Sequence, residues 1–101
     1  MHTLMVLYGQ PTDPEKFREY YQHTHLSIAQ KLPGVRATRH SVHLAGAEGE
    51  SPFIAVFEAD FNSAEAMAAA LASPEGAEAV ADVPNFATGG VQILHFAAAL
   101  G

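Results

Sequence analysis

The stretch from Phe53 to Phe61 constrains this chain most, because its side chains alternate and yet both alternating sets are rich in apolar residues. Phe53, Ala55, Phe57, Ala59 and Phe61 fall on one side of an extended backbone, and Ile54, Val56, Glu58 and Asp60 on the other. A strand of that kind belongs in a sheet covered on both faces. Three further segments read as strands. Thr3 to Tyr8 is a short apolar run stopped by Gly9 and Pro11. Val35 to Leu44 mixes β-branched, small and basic residues, as an edge strand does, and Val91 to Ala98 follows the break at Gly89-Gly90.

Helical signals fill the gaps between these strands. Thr12-Asp13-Pro14-Glu15 supplies a capping hydroxyl or acid, a proline at the first helical position, and Glu15 three residues after Thr12 as a capping box. Phe17, Tyr21, Thr24, Ile28 and Leu32 then recur at spacings of three and four. They predict one helix from about Pro14 to Leu32 with a single inward stripe, ended by Pro33-Gly34. Ser63 caps a second helix reaching about Ala72, and Ser73-Pro74-Glu75 starts a short third one that stops before Pro84. The order is β, α, β, β, α(α), β.

That order predicts an α+β fold, a ferredoxin-like βαββαβ arrangement in which a four-stranded antiparallel sheet carries its helices on one face. At 101 residues the chain is expected to be a single domain over 1–101. The second apolar face then needs a cover, most simply a second copy related by a two-fold axis, so a homodimer is expected.

Charge narrows the partners. Five Lys and Arg against eleven Asp and Glu leave a net charge of −6, which makes nucleic acid a poor partner. No apolar run approaches the roughly 18 residues of a membrane span. No Lys or Arg precedes the first apolar run, so no secretory signal is read there and a cytoplasmic location is expected. The absence of cysteine removes disulfides, thiolate nucleophiles and thiolate metal sites.

Six histidines are the chemically informative residues, since each can carry a proton near neutral pH. His25 lies one helical turn after Tyr21, near the edge of the inward stripe, and can face a cleft. There it can take or give a proton while a tyrosine hydroxyl orients a substrate oxygen, and Tyr8 at the end of the first strand reaches the same space. A packing histidine among core aromatics fits the same spacing. His23 and His25 point about 200° apart on a helix and cannot share an ion. His40 and His43 fall on opposite faces of a strand, so no metal site is expected. Arg39, in a basic cluster with Arg36, can meet a carboxylate, or it is simply a solvated strand residue. Glu58 and His95 interrupt apolar strands, and if both project into a dimer interior they line a shared polar pocket. No glycine motif cradles phosphate, so no nucleotide, flavin or nicotinamide cofactor is expected.

Three segments together carry a family resemblance: Tyr20, Tyr21 and His25 followed by Leu32-Pro33-Gly34; Phe61-Asn62-Ser63-Ala64-Glu65-Ala66; and Asp82-Val83-Pro84-Asn85-Phe86. The chain resembles the EthD-like family of the dimeric α+β barrel superfamily. Ser27 departs from it, standing where the family often has proline. The resemblance implies a dimeric α+β barrel that handles a small molecule. One implied activity is cofactor-free acid/base chemistry (isomerisation, cyclisation, elimination or oxygenation) on a small hydrophobic carbonyl, lactone or aromatic compound. Its catalytic residues are then His25, Tyr21 and Tyr20, while strand position and charge, apart from the resemblance, make Tyr8, Glu58, His95 and Arg39 the candidates for binding substrate. The other implied role is a non-catalytic ligand-binding or accessory protein of an oxidative degradation pathway.

Overall fold

A computed structural model describes residues 1–99. Strand β1 (His2–Gly9) lies between β3 (Phe53–Phe61) and β4 (Val91–Ala97), and β2 (Ala37–Ser41) flanks β3 on the outside. All three pairings are antiparallel. Leu4, Val6 and Tyr8 sit opposite Ala59, Phe57 and Ala55. These six side chains share one pleat face, are all buried, and form the floor of the core.

The first helical segment is one rod with a widened middle. Helix α1 (Pro14–Tyr20) runs into a π-helical turn (Tyr21–His25) and then into α2 (Leu26–Ala29). Asp13 rather than Thr12 caps it, its carboxylate accepting the Lys16 amide at 3.2 Å. The inward stripe differs from the expected one. Phe17, Tyr21 and Leu32 are buried, but Thr24 is exposed and Ile28 only half-buried, and His25 and Ala29 take their places. The π turn explains this. The Leu26 amide reaches back five residues to the Tyr21 carbonyl, so the turn holds one residue more than an α turn. Four residues of α-helix overshoot a full turn by about 40°. The wider turn absorbs that overshoot, and a spacing of four keeps residues 17, 21, 25 and 29 in line.

Helices α3 (Ala64–Ala72) and α4 (Pro74–Asp82) follow β3, and a 3₁₀ turn (Val83–Asn85) ends the layer. Ser73 joins them: its hydroxyl accepts the Gly76 amide at 3.1 Å and donates to the Ala70 carbonyl. A Cβ on Gly76 would stand 2.4 Å from the Leu71 carbonyl oxygen, so only glycine permits this close turn of one helix onto the next. The result is the ferredoxin-like layer order, an antiparallel sheet with its helices on one face.

The other sheet face carries Met5, Leu7, Val56, Leu94 and Phe96, of which Leu94 and Phe96 are left half-exposed. Its β2 side is polar. The Arg39 guanidinium donates to Glu58 at 2.6 Å and to Asp60 at 3.0 and 3.1 Å, while the Thr3 hydroxyl donates to Asp60 at 2.8 Å. Arg39 first, with Thr3 second, holds the Asp60 carboxyl below its ordinary range.

This placement corrects the expected pairing of Glu58 with His95. Met5 pairs with Glu58, whereas Leu4, its neighbour on the opposite side of the pleat, pairs with His95. The two side chains therefore leave opposite faces of the sheet and line no common pocket.

Candidate functional site

His25 closes the π turn with 3% of its surface exposed, more deeply placed than a stripe-edge residue. Its Nδ1 stands 2.8 Å from Oδ2 of Asp82, and its Nε2 makes a long 3.5 Å contact with the Tyr8 hydroxyl. Asp82 is in turn gripped from behind. The Tyr20 hydroxyl at 2.6 Å and the Asn85 amide at 3.0 Å both donate to Oδ1, which leaves Oδ2 to the histidine.

Electrostatics set the protons. Burial pushes the Asp82 carboxyl up, but the donors from Tyr20, Asn85 and His25, with the attraction of a charged His25, outweigh it and hold the group below its ordinary range. Asp82 is thus ionised at neutral pH and its oxygens only accept. Nδ1 of His25 must carry a proton, and in the neutral ring Nε2 is the free acceptor on the Tyr8 side. Burial first, and the Asp82 charge second, push the Tyr8 hydroxyl up, so Tyr8 stays a protonated donor.

Tyr20 and Tyr21 do different work. Tyr20 reaches Asp82, and that hydrogen bond, followed by burial and the carboxylate charge, raises its pKa against an opposing contribution from Asn85. Tyr21 is fully buried, stacked on Phe17 with ring centres 6.0 Å apart, and among the described residues its hydroxyl has no hydrogen-bond partner.

A hollow of about 50 Å³ opens beside Tyr8 and His25, between the sheet and the helix layer. Aliphatic side chains including Leu4, Val6, Leu32, Leu71 and Val83 line it, with Val80 of α4 and Ile93 of β4. A larger hollow of about 270 Å³ lies on the outer side of Tyr20 and Asn85, over Lys16 and Phe17, and has neither His25 nor Tyr8 in its wall. Of these two hollows only the smaller has His25 and Tyr8 in its wall.

The fold therefore brings together His25, Tyr8 and Tyr21, and ties Tyr20 to them through Asp82. It separates the other candidates. Arg39 and Glu58 bind each other on the opposite sheet face, and the His95 ring meets His2 at 2.9 Å along exposed β4. Asp82 and Asn85 are the residues that sequence reasoning missed as site members. A signal for Asp82 existed: it is an acid in the last turn of a helix, where the helix dipole disfavours negative charge, so a compensating partner is required.

Known proteins share this architecture. A protein of 11.0 kDa from Rhodococcus erythropolis, uncharacterised and encoded in the thcB-thcC intergenic region, is 36% identical over 95 residues, covering 93% of this chain and 91% of the relative. An EthD family protein from Bacillus halodurans superposes with a TM-score of 0.91 at 28% identity, covering 98% of this chain and 99% of that one. A dimeric ferredoxin-like protein of unknown function from Thermobifida fusca has a TM-score of 0.74 at 13% identity, covering 96% and 90%, and shows the fold alone. Residues 9–90 match the EthD domain family, a span that takes in Tyr20, His25, Asp82 and Asn85 together, and the chain belongs to that family.

Proposed function

We propose that this protein is a small-molecule enzyme working by acid/base catalysis without a cofactor, with the hollow beside His25 as its active site. The observation that carries the reading is the Tyr8–His25–Asp82 chain, in which the imidazole turns Nδ1 to the Asp82 carboxylate and Nε2 to the Tyr8 hydroxyl beside the cavity. In this reading His25 Nε2 takes a proton from a carbon or hydroxyl of the substrate. Asp82, 2.8 Å away, stabilises the imidazolium so formed. The Tyr8 hydroxyl donates to the oxygen on which negative charge gathers. Returning the proton to another atom gives isomerisation or ring closure, and giving it to a leaving group gives elimination. A small hydrophobic carbonyl compound or lactone with an acidic proton suits the cavity.

The working form is proposed to be a homodimer. Its support is the apolar sheet face with half-exposed Leu94 and Phe96, and the dimeric state of the T. fusca protein of the same fold. No helix among the described residues is long and apolar enough to cross a membrane.

Proton abstraction is tested without knowing the natural substrate. Small ketones and lactones incubated with the protein in deuterium oxide should exchange the hydrogens next to the carbonyl, seen by NMR, and His25→Gln should remove that exchange. A ligand that binds but never exchanges or turns over would mark the chain instead as a binding or accessory protein of a degradation pathway.

A further inference from the structure

We infer that the inner cavity takes an uncharged, mainly aliphatic molecule bearing one carbonyl or hydroxyl at its inner end, and that it enters between Val80 and Ile93. The inference rests on the proposed active site for the role of His25, and on the lining alone for the kind of molecule.

The lining has one polar end. Among the described residues Tyr8 and His25 are its only polar side chains, and their hydroxyl and Nε2 lie 3.5 Å apart. A ligand hydroxyl can accept from Tyr8 and donate to Nε2, whereas a carbonyl oxygen accepts from Tyr8. Everything else in the wall is aliphatic or glycine except Phe57, so a second polar group on the ligand would be buried without a partner. That loss is larger than a hydrogen bond at the inner end returns.

Charge excludes anions. None of the five Lys and Arg side chains of the sequence lines the cavity. Arg39 is engaged by Glu58 and Asp60 on the far sheet face, and Arg18 donates to the Val42 carbonyl. Directly behind His25 stands the ionised Asp82. A carboxylate or phosphate in the cavity would face that charge across one imidazole ring with no cation to offset it.

Aromatic ligands have little to stack on. The Tyr8 ring is already packed by Phe17, Tyr21 and Phe86, with ring centres 5.6, 5.5 and 5.5 Å away. An aliphatic body meets the branched side chains instead.

The route in is set by exposure. Val80 and Ile93 are 54% and 52% exposed although they line the hollow, and they belong to different layers, α4 and the edge strand β4. At about 50 Å³ the hollow is smaller than a six-membered ring compound. Half-exposed side chains change rotamer freely, so these two are the ones that move aside.

The test uses four six-membered-ring probes, cyclohexanone, cyclohexanol, phenol and cyclohexanecarboxylate, titrated into the ¹³C-methyl-labelled protein at pH 8.5, above the range where imidazoles ordinarily hold a second proton. Cyclohexanone and cyclohexanol should shift the methyl signals of Leu71, Val83 and Ile93 saturably. Cyclohexanecarboxylate should bind at least roughly tenfold more weakly, the scale of one uncompensated charge at this separation. Phenol should bind more weakly than cyclohexanol. Val80→Trp should block binding while leaving thermal unfolding unchanged, because the side chain it replaces is half in solvent. Equal binding of the carboxylate, tighter binding of phenol, no binding of any probe, or undiminished binding to a folded Val80→Trp protein each overturns the inference. These readouts are independent of turnover. Cyclohexanone binding without His25-dependent deuterium exchange fails the acid/base reading and leaves the ligand class standing; exchange accompanied by equal carboxylate binding does the reverse.

Discussion

Asp82 receives two donors on one oxygen and offers the other to His25, so removing either His25 or Asp82 leaves a buried polar atom without its partner. His25→Ala is accordingly expected to lower stability by about 1–3 kcal/mol in urea titrations, the cost of an unpaired buried group. It should also reduce any turnover by roughly 10²–10⁴-fold. Asp82 adds a pH dependence whose sign follows from its lowered pKa. The unfolded chain protonates this residue near the ordinary value of about 3.9, above the native one. Its stabilisation is therefore complete above that pH and drains away as the pH falls towards the native value. Asp82→Asn should flatten the acid limb of the stability–pH curve measured by denaturant melts, leaving the share that Asp60 contributes through Arg39. Tyr21 presents the opposite case, a buried hydroxyl with no partner among the described residues. Tyr21→Phe should leave the melting temperature unchanged or raise it, and a marked fall would show that the hydroxyl has a partner.

At the scale of elements, the π-helical turn is what aims the histidine. Without the extra residue, the spacing of three and four that the sequence displays would put Thr24 and Ile28 inward and turn His25 towards the edge. Single-turn π bulges concentrate at functional sites, consistent with a local geometry kept for what it positions. Gln22, His23 and Thr24, which fill the outer side of the turn, are exposed. Deleting His23 should therefore let the segment close into a regular α-helix, folded by circular dichroism with a melting temperature within a few degrees of the parent. Closing the turn moves His25 onto the inward position that Thr24 would hold in an unbroken α-helix, so the imidazole should still meet Asp82 and Tyr8 and deuterium exchange into a bound ketone should persist. A deletion variant that folds but no longer exchanges would show that the chemistry needs the widened turn itself and not only an inward-facing His25.

The whole molecule measures 35 × 33 × 18 Å, a slab of one helix layer on one sheet. Its two sheet faces differ in kind. One carries the helices, whereas the other offers Met5, Leu7, Leu94 and Phe96 beside the Arg39, Glu58 and Asp60 cluster. Leu94 and Phe96 project from β4 on that uncovered face, so a charge there is cheap in an isolated copy and costly between two. Phe96→Asp should convert a sedimenting dimer to a folded monomer at micromolar concentration. A wild-type protein already monomeric under those conditions, or a dimer that survives the substitution, would place the interface elsewhere.

By itself the sequence determined the elements and their order. Alternation at Phe53–Phe61, the cap at Ser63, the Ser73-Pro74 junction and the Pro33-Gly34 stop are signals between residues close in the chain, and they depend on nothing farther away. His25 and Tyr8 were legible as site residues for the same reason: each stands at a defined place on one element. Tertiary structure alone decided what they meet. Asp82 lies 57 residues beyond His25, and the two come within 2.8 Å only because α4 packs against α2, next to the widened turn. The separation of Glu58 from His95 likewise depended on how β3 and β4 register against β1, where a shift of one residue moves a side chain through the sheet. Local sterics write the elements into neighbouring residues, whereas a site shared between layers exists only once those layers have packed.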